Sequence, residues 1–296
     1  MQPMHPSTRR EFLEGVAGAA ALGLGALPFG AQEQAAREPR MRFGLVTYLW
    51  GRDWDLPTAI ANCETARVLG VELRTTHAHG VEIALSAQER AEVKARFADS
   101  PLELVGLGSD ERFDSPDPET LARAVKTARA FLDLSRDVGG GGVKVKPDSF
   151  HAGVERERTI EQIGRALNEL AAYAAELGQE ARLEVHGQCS PLPVIARIME
   201  VADHPAARVC WNSNPEDLEG AGLEHNFQLV APRFGATAHV RELDVGDYPY
   251  AELMGLLRGI GYAGWVLLEA RTEPPDRVAA LRAQRVVWEG MVDRRG

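Results

Sequence analysis

The sequence predicts an α/β fold, a single-domain (β/α)8 TIM barrel preceded by an N-terminal segment, and three observations carry the prediction. From Met41 onward short β-rich runs alternate with amphipathic helical runs, the pattern of successive βα units around a parallel sheet. Eight such units fit in about 255 residues, which is the count and size of that barrel. No early strand ends in G-x-G-x-x-G or a Walker loop, which disfavours a doubly wound open sheet. The glycine run 139–142 precedes a strand, so it reads as a helix stop and turn.

The expected strands are 42–49, 70–75, 102–108, 142–146, 182–187, 208–213, 236–243 and 265–270. Each is followed by a helix. "SPDPETLARAVKTARAFLDLSRDVG" opens on Ser, Asp and Pro, carries Leu121, Val125, Ala128 and Leu132 at helical spacing, and stops at glycine. "TIEQIGRALNELAAYAAELG" begins near Thr159 and stops at Gly178. The sixth helix, within 218–230, carries the weakest pattern, and the last begins after the Pro274-Pro275 pair.

Ahead of the barrel, "STRREFLEGVAGAAALGLGALPFGA" sets Arg9-Arg10 before Phe12-Leu13 and a mildly apolar Ala/Gly run. It resembles a twin-arginine (Tat) export signal, so residues 1–36 are assigned to a signal and linker and 41–296 to the barrel. The run falls short of the about 20 strongly apolar residues of a bilayer span. The expectation is export by the Tat machinery to the periplasm, with an uncleaved tether as the alternative because no clean A-x-A site follows. The mature barrel is expected to have no membrane span, and nothing in the sequence excludes an oligomer.

The formal net charge of −10 argues against nucleic acid or an anionic membrane as partner. Cys63, Cys189 and Cys210 are odd in number and lack C-x-x-C spacing, so they read as small buried side chains; Cys189 and Cys210 could meet if their strands are neighbours.

In such barrels ligand-binding side chains occupy the C-terminal strand ends. The polar residues expected there on the last four strands are Glu184 with His186 in "LEVHG", Asn212 with Asn214 in "CWNSN", His239 in "AHVRE", and Glu269 in "LLEAR". Glu184, Asn212, His239 and Glu269 follow one another at 28, 27 and 30 residues, about one βα unit each, which places them at similar heights. Two carboxylates, an imidazole and an amide suit Mn²⁺, Mg²⁺ or Co²⁺, and less specifically Zn²⁺. An ion-pair or helix-cap role is the bland reading of any one strand-end Glu.

"LEVHG", "HVRE" and "GIGYAGWVLLEA" at this spacing resemble the xylose-isomerase-like family of sugar phosphate isomerase/epimerase barrels, over essentially all of residues 41–292. The resemblance implies one divalent metal held by Glu, Asp, His and Glu from the fifth to eighth strands. Those positions fall on Glu184, Asn212, His239 and Glu269, so the expected Asp is an Asn. It also implies that Glu184 and Glu269 exchange protons with a carbon next to a carbonyl in an enediolate mechanism. Isomerase, epimerase and β-eliminating lyase chemistry share that first step.

The substrate is expected to be a small carbohydrate, bound by Trp50 as a stacking wall, Arg74, His79, Lys144, Lys146, His186, Asn214 and Arg241. Lys144 and Lys146 share a strand face and need a partner or ligand inside a barrel. His79, like His77 and His151, reads equally as a solvated loop histidine. Export favours a free sugar, keto-sugar or glycoside over a sugar phosphate. A non-catalytic sugar-binding barrel and a phosphodiester hydrolase on a related barrel stand as alternatives; the acidic balance and single metal site count against the second.

Overall fold

The computed structural model describes residues 41–293. Strands β1 (Arg42–Val46), β2 (Gly70–Arg74), β3 (Glu103–Arg112), β4 (Gly142–Lys146), β5 (Glu180–Glu184), β6 (Ala207–Asn212), β7 (Phe234–Val240) and β8 (Trp265–Leu268) pair in parallel, each with the next. β8 closes on β1, giving a closed barrel in strand order. Among the described residues the α-helices are α1 (Leu56–Ala66), α2 (Ala87–Ala98), α3 (Pro118–Val138), α4 (Arg156–Glu176), α5 (Leu192–Val201), α6 (Leu223–Val230), α7 (Tyr250–Gly259) and α8 (Arg277–Val292). The TIM-barrel expectation holds.

Local chemistry sets the boundaries. α3 begins where the Asp117 carboxylate accepts from the Thr120 amide and Pro118 fills a first-turn position that needs no donor; it ends at Gly139 with φ 94°. α4 starts at Arg156, three residues before Thr159, and has no side-chain cap. The weak sixth helix is short because Pro215–Leu218 first forms a single 3₁₀ turn. β3 runs four residues past its expected end, to Arg112, with an irregularity in its pairing to β4.

Strand alternation divides the apolar residues into two sets. Leu45, Val71, Leu73, Leu104, Leu107, Val143, Val145, Leu183, Val209, Trp211, Val266 and Leu268 join the large core between barrel and helices. Val46, Val105, Trp265 and Leu267 form a small separate cluster inside the barrel. Gly70 makes room there: a Cβ on it would lie 2.3 Å from the Trp265 ring.

Cys63, Cys189 and Cys210 are all buried and free, so Cys189 and Cys210 do not pair. Among the described residues no helix is long and apolar enough to cross a membrane. The Arg9-Arg10 signal assignment lies outside the described residues.

Candidate metal centre

Glu184 ends β5, Asn212 ends β6, His239 lies next to the last residue of β7, and Glu269 follows β8 by one residue. Glu184 pairs with Cys210, two residues before Asn212, and Asn212 pairs with His239, so the register gathers them at one end of the barrel. Glu184, His239 and Glu269 each offer a donor atom within 4.8 Å of the others, and all three are buried.

Asn212 sits beside them, its Nδ2 donating to Glu184 Oε1 at 3.0 Å. That orientation leaves Oδ1 buried with no hydrogen-bond partner. A buried carbonyl oxygen without a donor costs free energy unless a ligand meets it. A cation suits it, because the three neighbouring side chains also present ligand atoms. The donor set therefore fits a divalent metal, with the free Asn212 oxygen beside the three side chains.

Behind His239 stands Glu72 on β2, which the sequence reading passed over. It is fully buried, and its Oε1 lies 3.2 Å from His239 Nε2. His239 Nδ1 lies 3.6 Å from Glu184 Oε1. A carboxylate on one imidazole nitrogen that aims the other at a metal is the usual support of a histidine ligand. The available signal was its position: Glu72 stands between Val71 and Leu73 in a short buried strand, so its alternation points it into the barrel.

Electrostatics bind this interior together. Lys144 Nζ lies 2.7 Å from Glu184 Oε2, with both side chains 1% exposed. Burial works against the charge of each group, yet mutual attraction prevails. Lys144 is raised by Glu184, Glu72 and Glu269, while Lys144 and His239 hold Glu184 well below the usual carboxylate range. Glu72 is likewise lowered against its burial by His239 and Lys144. Burial also opposes charge on His239, but Cys210, Glu72 and Glu184 raise its pKa well above the ordinary histidine value. Glu269 is much freer: its nearest ionic partner is Arg271 at 3.9 Å.

The expected substrate-binding residues divide by what they touch. His186, two residues beyond Glu184, is held through Nδ1 by Asp148 at 2.8 Å, which leaves Nε2 unengaged by that pair. Arg74 and Lys146 both reach Asp110, at 3.2 and 2.9 Å. Asn214 spends its amide on the carbonyls of Val185 and Asn212, tying β5 to β6. Arg241 reaches Asn214 Oδ1 at 3.5 Å, and its buried Nε has no hydrogen-bond partner.

Trp50 is 2% exposed and its indole N–H donates to the Thr272 carbonyl, so it packs in the core. His79 is turned into its own loop: Nε2 meets the Arg74 carbonyl, Nδ1 accepts from the Val81 amide, and burial pushes its pKa down to about 4. His77 and His151 are tied to the Thr47 carbonyl and the Asp114 carboxylate.

A second polar cluster was also missed. Asp217, in the 3₁₀ turn after β6, accepts from the Tyr248 hydroxyl at 2.7 Å and from the Asn214 backbone N–H at 2.9 Å. Burial pushes its carboxyl up to about 7.

The family model described as xylose isomerase-like TIM barrel matches residues 60–214, from α1 past the end of β6. No curated protein matches the chain in sequence. Among solved structures, 3-keto-D-glucoside 4-epimerase YcjR from E. coli is similar at 17% identity and a TM-score of 0.71, covering 84% of this chain and 98% of that one. An L-ribulose 3-epimerase is similar at 18% identity and a TM-score of 0.73, covering 86% of this chain and 95% of that one. The IOLI protein, solved with a bound zinc atom, is similar at 14% identity and a TM-score of 0.71, covering 85% of this chain and 98% of that one. At these identities the likeness is one of fold.

Proposed function

Since the chain belongs to the xylose isomerase-like TIM barrel family, we propose that it is a metal-dependent isomerase or epimerase that removes a proton next to the carbonyl of a sugar or keto-sugar. The observation that carries this reading is the convergence of Glu184, His239 and Glu269 at the C-terminal end of the barrel, with the unpartnered Asn212 carbonyl beside them. The activities of the two epimerases support it, and the zinc of the IOLI structure supports a metal.

Glu184, Asn212, His239 and Glu269 would hold the ion. When bound, a divalent cation supplies Lewis-acid polarisation of a carbonyl oxygen. The proton is the protein's part. Glu184 has one oxygen against Lys144 and the other against Asn212, whereas Glu269 has only a distant arginine. Glu269 is therefore the base, taking the proton from the carbon beside the carbonyl. His186, oriented by Asp148, is placed to donate to or accept from a substrate oxygen, and Arg241 brings a free N–H to the same mouth.

A second reading is favoured by the engagement of Glu184. Inversion at carbon uses a base on each face, but β-elimination needs one base and a leaving group on the next carbon. A lyase acting on a 3-keto-glycoside fits a centre with one free carboxylate. Export completes the proposal: Arg9-Arg10 and the apolar run after it support a periplasmic enzyme acting on an unphosphorylated carbohydrate.

The test is solvent exchange. Mn²⁺-loaded protein is incubated with aldoses, ketoses and 3-keto-glycosides in D₂O, and deuterium incorporation is followed by NMR. Exchange is expected next to the carbonyl of one class, falling by about 100-fold or more in Glu269→Gln at saturating metal. Isomerised, epimerised or eliminated product tells the two readings apart. Absence of both exchange and bound metal would sink them together.

A further inference from the structure

Lys144 is the interior charge that the proposed reaction leaves unused. Its Nζ lies 2.7 Å from Glu184 Oε2 and 3.2 Å from the Ser109 carbonyl, deep in β4. A buried ammonium persists only where anions offset its desolvation. Glu184 does so here by direct contact, with both side chains 1% exposed, and the Ser109 carbonyl accepts a second hydrogen bond from Nζ. The backbone makes room for the pairings: a Cβ on Gly108 would lie 2.7 Å from Glu72 Oε1 and 3.6 Å from Lys144 Cε.

The charges of the centre then have a definite balance. With His239 neutral, as a ligating imidazole must be, three carboxylates face one ammonium, leaving two negative charges for a divalent cation to match. Either an Asp at position 212 or an uncharged residue at 144 would leave the loaded centre one charge more negative. Charges in a dry interior are little screened, so a cation touching a ligand carboxylate opposes a second cation on that carboxylate. Ligation through Glu184 has to share or displace a protein donor, because both of its oxygens already face one.

We propose that Lys144 is the resident counter-cation of the centre, a positioning residue that holds Glu184 in the ion-free barrel and competes with the divalent metal for it. Lys144 and Asn212 together set a low metal affinity, so that the ion is exchangeable and the barrel stands without it. The inference rests on the metal-centre reading given above.

The experiment compares Mn²⁺ binding, by calorimetry, in metal-stripped full-length wild type, Lys144→Met and Lys144→Gln. Met removes the charge at similar length; Gln keeps a donor for Glu184. Both variants are expected to bind Mn²⁺ at least about tenfold tighter than wild type. Tightening is a direction that damage to the fold does not produce. Equal or weaker binding in folded variants overturns the assignment of Lys144 and leaves the metal centre standing, whereas absence of binding in all three proteins overturns both.

A measurement on the wild type serves if the variants do not fold. With lysine Nζ labelled by ¹⁵N, addition of Zn²⁺ is expected to shift one buried ammonium resonance. Saturation with Zn²⁺ without such a shift would overturn the proposal.

Discussion

Glu72 on β2 and His239 on β7 meet inside the barrel, with Oε1 3.2 Å from Nε2, and neither is exposed to solvent. The contact leaves Nδ1 as the nitrogen nearest Glu184, so it selects which side of the imidazole can serve as a ligand. It also ties a strand in the first half of the barrel to the half that carries Glu184, Asn212 and Glu269.

Glu72→Gln keeps the shape of that contact and removes its charge. The loss expected for an orienting partner of a metal-bound histidine is about 10–100-fold in metal affinity. Mn²⁺ titration of the folded variant checks it. An affinity equal to that of the wild type would remove Glu72 from this role.

Metal binding should release a proton. Cys210, Glu72 and Glu184 raise the His239 pKa well above the ordinary histidine value despite burial, and a ligating imidazole must be neutral. Calorimetry of Mn²⁺ binding at pH 7 in buffers of different ionisation heat is expected to show release of about one proton. A value of zero would mean that His239 is neutral before the ion arrives.

Asp217 gives a pH dependence of stability that owes nothing to metal. Burial raises its pKa from 3.8 to about 7, so the folded chain binds this proton more tightly than the unfolded chain. Its contribution is complete below pH 3.8 and is lost as pH rises through about 7. Asp217→Asn, which can still accept from Tyr248, lacks the titration. Urea unfolding across that window should show the wild type losing stability relative to the variant by up to a few kcal/mol. Parallel profiles would contradict the raised pKa.

The barrel was legible because its signals are local. Short β-rich runs, the Ser, Asp and Pro that open α3, and the stop at Gly139 act within a few residues, and the structure reproduces them. The sixth unit was faint because Pro215 diverts the chain into a 3₁₀ turn before a helix of eight residues. The run of Glu184, Asn212, His239 and Glu269 was legible for a related reason. One βα unit per step keeps residues at the same height, so spacing alone places them together.

What the chain order could not convey is which atoms of those residues remain free. Lys144 shares a face with Lys146, yet β4 delivers them to different partners, Glu184 and Asp110. His79 and His186 both read as substrate-binding residues; one has its two nitrogens bound by the backbone of Arg74 and Val81, and the other is oriented by Asp148. The parallel α/β barrel and the ring of polar strand ends follow from the order of residues, since alternation and repeat length are properties of the chain. The contacts of Glu72 with His239, and of Lys144 and Asn212 with Glu184, come from folding. Those contacts join residues on different strands, and they exist only once the closed barrel sets the register between them.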